Sequence, residues 1–175
     1  TGPASQHQAM EQVWQQVREV AGDSTLFEGT QGLPALLAEQ LNGRGLRLAV
    51  SEQFTGGLMN WQLQSAGVPL AGGELLPAHC QETLEEIASR AQSLSMLCGA
   101  QVVLAVGAMQ NDHLSVALYT PEGTFAQTVR YQASRHGLRI RQESSAMLAL
   151  DMVRRWLNGR PVCGQHGWLD VVNIL

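Results

Sequence analysis

Apolar and polar positions change period several times along the chain, and each change marks an element. Between residues 6 and 20, Ala9, Met10, Val13, Val17 and Val20 recur every three or four positions among glutamines, which predicts an amphipathic helix. Residues 22–25 end it, and 25–29 read as a short turn or strand. Leu33, Leu36, Leu37 and Leu41 repeat the helical spacing, with Pro34 in the first turn and Asn42-Gly43 as the stop. Residues 46–50 are instead continuously apolar, as in a strand covered on both faces. A helix is predicted over 57–65, ending at Gly67, and a short strand over 68–76, whose Pro69 and two glycines suit a sheet edge.

Leu84, Ile87, Ala88, Ala91, Leu94 and Leu97 predict a helix over 79–97, and Glu82, Glu85 and Glu86 near its start suit the positive end of its dipole. Residues 101–106 form a second apolar run. Segments 113–119 and 124–131 alternate around Pro121-Glu-Gly123, a hairpin signal. A final helix over 141–156 turns Met147, Leu150, Val153 and Leu157 inward, carries Arg154-Arg155 at its end and stops before Gly159 and Pro161. The tail from Trp168 to Leu175 is apolar with two polar breaks and must pack on this subunit or on another.

Composition narrows the function. A chain of 175 residues that is 45% hydrophobic can bury one domain plus an extension. Only 15% of residues are charged and the net charge is −4, with no basic run, which argues against a nucleic-acid surface. No apolar stretch reaches the roughly 18 residues of a membrane span, and no basic-then-apolar leader opens the chain. A soluble, cytoplasmic protein is expected. Cys80, Cys98 and Cys163 are odd in number and irregularly spaced, so reduced thiols are expected rather than a disulfide framework. All 11 basic residues are arginine; without lysine, these residues cannot supply Schiff-base chemistry, a phosphate-loop lysine or a lysine-activated hydroxyl.

The stretch with the most chemical content is the corner after the first apolar run. Thr55 can cap a helix, Gly56 and Gly57 let the backbone turn or approach a ligand, and the first helical turn presents N–H groups, which together make an anion site. In the alternative reading, Thr-Gly-Gly only turns the chain.

Ala49-Val-Ser-Glu-Gln-Phe-Thr-Gly-Gly-Leu58 resembles the Ala-Glu-Ser-Cys-Thr-Gly-Gly stretch of the CinA C-terminal domain family, whose active members are nicotinamide mononucleotide deamidases. Ala71-Gly-Gly-Glu74 resembles its second Gly-Gly strand, and Ala100-Gln-Val-Val-Leu-Ala-Val-Gly107 and Ala146-Met-Leu-Ala-Leu-Asp-Met-Val-Arg-Arg155 resemble its central strand and last helix. The likeness covers residues 31–158. It implies a three-layer α/β/α sandwich with a mixed sheet over 31–160, preceded by a helical linker over 1–30 and followed by an apolar tail over 161–175. In full-length members a similar linker follows a molybdopterin-binding-like domain, so the chain is read as a fragment of a longer protein.

The family's amidase chemistry, as the resemblance implies it, uses a nucleophilic serine with a tyrosine and a lysine to take its proton. Those positions fall on Gln53, Pro77 and Glu82 here. Phe54 stands where the family has a small cysteine and is positioned to plug the site. The loop after the central strand is shortened to residues 107–113, which removes backbone donors for a phosphate.

No substitute machinery stands out. Ser51 lies at the end of its strand; His79 and Cys80 are adjacent, about 100° apart on a helix; Asp112 and His113 would face opposite sides of a strand. Cys163-Gly-Gln-His166 has the spacing of half a zinc site without a second half. The chain is therefore expected to carry no catalytic residues, no metal and no cofactor. Thr55, Gly56, Gly57 and Arg141 are the candidate ligand contacts, for a weakly held nucleotide or other small anion. The function expected is a degenerate domain of a longer chain that binds, oligomerises or regulates, with a homodimer or higher homo-oligomer as its assembly. The alternatives are a nicotinamide-nucleotide amidohydrolase with a rearranged nucleophile and a purely structural dimerisation module.

Overall fold

The computed structural model describes residues 32–77, 82–131, 137–164 and 169–175. The helix expected over 6–20 lies outside these residues, as do His79, Cys80, His166 and Trp168. In chain order the elements are α1 (Gly32–Arg44), β1 (Leu48–Glu52), α2 (Leu58–Ser65), β2 (Leu70–Leu75), α3 (Leu84–Cys98), β3 (Val102–Val106), β4 (His113–Thr120), β5 (Gly123–Tyr131), α4 (Leu138–Leu157) and β6 (Leu169–Ile174). The strands form one six-stranded mixed sheet in the order β2-β1-β3-β4-β5-β6. β1 runs parallel to β2 and β3, and every other pairing is antiparallel. This is the α/β architecture expected, with helices on both faces.

Side-chain alternation divides the sheet into two faces. Leu48 and Val50, then Leu104, Val116 and Val129, point to the larger core, which α1, α2 and α4 complete with Leu37, Leu41, Leu63, Leu148 and Met152. The opposite face carries Ala49, Val103, Ala105, Ala117 and Ala126. These small residues let α3 lie close on the sheet through Leu84, Ile87, Ala91 and Leu94. β1 and β3 are buried at every position, which explains their unbroken apolar runs. β2 is an edge strand, as its proline and glycines suggested.

Several ends differ from the sequence expectation for local reasons. α1 runs through Asn42 and Gly43 and closes at Gly45, whose φ of 67° lets the Leu46 N–H turn back to the Leu41 carbonyl at 3.0 Å. α3 begins at Leu84, where Thr83 and Glu86 form a reciprocal capping box. α4 starts at Leu138, so Arg141 sits in its first turn. Leu169 of the apolar tail is buried and the segment pairs with β5, which makes it the sixth strand. Among the described residues, no helix is long and apolar enough to cross a membrane.

Candidate functional site

β1 does not stop at its last apolar residue; it continues through Ser51 and Glu52, both fully buried. Alternation sends Glu52 toward α2 and turns Ser51 and Gln53 toward α3. Glu52 Oε1 accepts the Thr55 hydroxyl at 2.7 Å and the Met59 N–H at 2.9 Å, and Oε2 accepts the Asn60 N–H at 3.0 Å. Leu58 N–H donates to Thr55 O at 3.0 Å and Trp61 N–H to Gly57 O at 3.0 Å. The first amides of α2 thus all have partners inside the chain.

This arrangement changes the roles read for the Thr55-Gly57 corner. Thr55 is not the N-cap: Gly57 is, at φ 96°, and Thr55 donates its hydroxyl to Glu52 instead. Gly56, at φ 60°, makes the turn between them. The amides that would receive an external anion face an internal carboxylate. Nor does Arg141 join this corner. Its Nη1 lies 2.7 Å from Asp112 Oδ1 and its guanidinium sits 5.1 Å from the Tyr131 ring centroid. The neighbouring Gln142 reaches the loop, donating from Nε2 to Phe54 O at 2.9 Å. Phe54 is half-buried against the larger core, and its N–H donates to Gly107 O at 3.1 Å.

On the other face, Arg90 of α3 crosses the ends of β1 and β3. Its Nη1 donates to Ser51 Oγ at 2.6 Å; its Nη2 donates to Gln53 Oε1 at 3.3 Å and to Val106 O at 3.1 Å. Its Nε donates to Glu82 Oε2 at 3.2 Å, and the pair is mostly buried. The Ser51 hydroxyl donates to Glu74 Oε1 at 2.7 Å, and Gln53 Nε2 donates to Pro77 O at 3.0 Å. Gln53 and Glu82 therefore share one guanidinium, Pro77 joins them through Gln53, and Gln53 is only 3% exposed. The chain goes outward from β1 to β2 and returns past β1 to β3, so Arg90 fills the crevice at the switch point, where open α/β sheets usually receive ligands.

The β3–β4 connection is a tight turn. Asn111 and Asp112 both take positive φ, 49° and 64°, while Gln110 and His113 pair across it. Asp112 is held by Arg141 and accepts Tyr131 N–H through its carbonyl at 2.8 Å. Burial raises the Tyr131 hydroxyl above its ordinary range, against the opposing effects of bonds with Ser144 and Ser145 and of the Arg141 charge. His113 Nδ1 lies 2.6 Å from the Asn111 carbonyl, so Asp112 and His113 have separate partners and do not form an oriented acid–base pair. Beside this turn, Glu82, Ile87, Ala108, Gln110, Asn111, His113, Ser115 and Thr128 line a cavity of about 300 Å³. A wider groove of about 770 Å³ runs between α2 and β2, past Asn60, Trp61, Glu74 and Leu75.

Cys163 packs against the larger core, and burial pushes its thiol up to about 11 despite the opposing charge of Arg155. Among the described residues, no group of three or more His, Cys, Asp or Glu side chains converges as a metal site.

Sequence reasoning missed Glu52, Glu74, Arg90 and Gln142. Glu52 left a trace, as an acidic residue between a buried strand and a Gly-Gly turn. Arg90 left another, as the lone cation within α3 beside the buried positions Ile87 and Ala91.

No known family profile matches the chain. It is 49% identical over 172 residues to a CinA-like protein of Shigella flexneri, a match covering 98% of this chain and 43% of that protein. The same identity and shares hold for the NMN amidohydrolase-like protein YfaY of Escherichia coli K12. The chain thus spans less than half the length of these curated relatives. Among solved structures, a competence or damage-inducible protein from Enterobacter asburiae superposes with a TM-score of 0.65 at 16% identity, covering 74% of this chain and 99% of its own. A CinA superfamily protein from Klebsiella pneumoniae superposes with a TM-score of 0.63 at 17% identity, covering 75% and 99%. Similarity at that level of identity carries the fold.

Proposed function

We propose that this chain, 49% identical over 172 residues to CinA-like proteins of which it spans 43%, is a CinA-like domain that has lost amide hydrolysis and serves a larger protein as a binding, oligomerising or regulatory part. The observation that carries this reading is the Arg90 network. An amide is a poor electrophile, so its hydrolysis needs a reachable nucleophile with a base beside it. Where the family resemblance places a serine, Gln53 offers a carboxamide held by Arg90 and by the Pro77 carbonyl. Where it places tyrosine and lysine, Pro77 has no ionisable group and Glu82 is tied to Arg90.

One observation favours a second reading, an amidohydrolase with a displaced nucleophile. Ser51 donates its hydroxyl to the Glu74 carboxylate at 2.7 Å, which is a serine with a base. Its burial weighs against that role, since a fully covered Oγ that also accepts from Arg90 has no approach for a carbonyl carbon.

The test is ammonia release from nicotinamide mononucleotide by the purified protein. Release at the buffer background supports loss of the chemistry. Turnover that disappears in Ser51→Ala would establish the second reading.

A further inference from the structure

The cavity of about 300 Å³ beside the Asn111-Asp112 turn takes no part in the Arg90 network except through one wall, Glu82. Glu82 Oε1 stands 2.9 Å from Arg90 Nη2 but off the line of its N–H, so this buried oxygen has no aligned hydrogen bond. Such an oxygen costs folding energy unless something else donates to it. His113 adds a second acceptor. Its Nδ1 faces the Asn111 carbonyl, which can only accept, so Nδ1 donates there, and in the tautomer this bond selects Nε2 is an acceptor. Ser115 Oγ and Thr128 Oγ1 lie 2.7 Å apart and share one proton between them, leaving lone pairs and a single hydroxyl hydrogen for a ligand. The side-chain amides of Gln110 and Asn111 can both donate and accept, and Ile87 and Ala108 supply the apolar wall.

Among the described residues, no cationic side chain lines this cavity. A phosphate or carboxylate entering it would find on the described walls acceptors and neutral amides and hydroxyls, with no cation to pair with. A cation gains little, because Arg90 already neutralises Glu82. The complement is an uncharged molecule rich in O–H donors, with one face able to lie on Ile87 and Ala108. The size is at the small end of ligand pockets, about 300–1,000 Å³.

We propose that this cavity binds a small uncharged polyol of about the size of one sugar ring, with Glu82 and His113 accepting its hydroxyls. The proposal rests on the reading of the domain as a binding one and names the chemistry of what it binds. The turn contributes by strain: two successive non-glycine residues at positive φ are held by Arg141 and Tyr131, and they fix where Gln110, Asn111 and His113 stand.

The experiment is an NMR titration of the labelled protein with myo-inositol and D-glucose as uncharged probes and inorganic phosphate as the charged one. Expected are saturable shifts of the Gln110, Asn111, Ser115 and Thr128 amides with either polyol, at a Kd of about millimolar, and none with phosphate. Ala108→Leu, which fills the cavity from its apolar wall, should abolish the shifts. Glu82→Ala should weaken binding about tenfold. Because Glu82→Ala also disturbs Arg90, thermal melting is recorded for both variants, and Ala108→Leu decides the outcome if the other unfolds. Silence with both polyols, binding that survives Ala108→Leu, or phosphate shifting the same amides would each overturn the proposal. None of these readouts depends on ammonia release, so failure here and failure of the inactive-domain reading are separate results.

Discussion

The Glu52 carboxylate accepts the backbone N–H of Asn60 at 3.0 Å, joining the end of β1 to the first turn of α2. Its other oxygen takes the Met59 N–H and the Thr55 hydroxyl. A helix N-terminus carries partial positive charge and unpaired donors, which is why phosphates settle there. Here the chain supplies the anion itself. The corner is closed from within, and the binding question moves to the opposite face of the sheet, around Arg90 and the cavity lined by Glu82.

Glu52→Ala should therefore destabilise the protein by about 3 kcal/mol or more, since several bonds to a charged acceptor disappear and buried amides lose their partner. Glu52→Gln should cost less, because one amide oxygen still accepts. Urea unfolding with an unchanged m-value checks both. The alanine variant should also gain stability from phosphate, while the unmodified protein should not. If phosphate stabilises neither, the α2 amides are not an anion seat.

How much of this was legible from the letters follows from where the partners lie. β1 and β3 show as continuous apolar runs because both faces are buried, and the β4–β5 hairpin shows through its alternation and Pro121-Glu-Gly123. These are local signals. The extension of β1 through Ser51 and Glu52 is not, because Arg90 and Glu74 come from other elements and no window contains them together. Thr83 and Glu86 did spell a capping box, which sets the start of α3 more sharply than its apolar spacing does. β6 was hidden for the opposite reason: six residues with polar breaks look like a tail until β5 pairs with them. Arg141 is expected from the sequence as a ligand contact with Thr55-Gly57, but Asp112, supplied by a turn, pairs with it instead.

Arg90→Ala should cost about 3–5 kcal/mol, the range for breaking a buried pair by removing one partner. Glu82, Ser51, Gln53 and Val106 O would all lose a donor at once. Arg90→Lys should recover only part of this, since an ammonium cannot fork across four acceptors. Equal stability of the lysine variant and the original protein would mean that the guanidinium geometry contributes little.

Cys163 gives a pH prediction. Its thiol is raised from an ordinary value of 9.0 to about 11 in the folded protein, so the fold favours the protonated form. The stability this group contributes is complete below pH 9 and is lost as pH rises through about 11. Cys163→Ala should remove that alkaline component and flatten the decline in denaturant midpoint between these pH values. At pH 8, alkylation of Cys163 should run about a hundredfold slower than that of a solvated thiol. Rapid labelling of the folded protein would refute this.

The β6 edge bears on assembly. Val172 and Ile174 of β6, and Leu175 just after it, are about half exposed, and the outer side of the strand has no neighbour among the described residues. Edges of this kind recruit a further strand unless charge or proline blunts them. Sedimentation should show self-association of the intact chain, and Val172→Lys combined with Ile174→Lys should shift it toward monomer with little loss of stability. A chain that is monomeric before substitution at high concentration would remove this edge as an interface.

Gln53→Ser should not create an amidase. The new hydroxyl would lie at a nearly covered position beside Arg90, whose charge favours an alkoxide but cannot accept a proton. No lysine exists in the 175 residues to do so. Tyr131 is engaged with Ser145 at 2.7 Å on the other face of the sheet, Pro77 offers only a carbonyl, and Glu82 is held in its ion pair. Residues that act as one catalytic unit fail together, so restoring one of three leaves the rate near background. Ammonia from nicotinamide mononucleotide should remain at the buffer level for this variant. Release clearly above that of the unmodified protein would show that Glu82 or Glu74 can leave its present partner and serve as the base, and would return the site to catalysis.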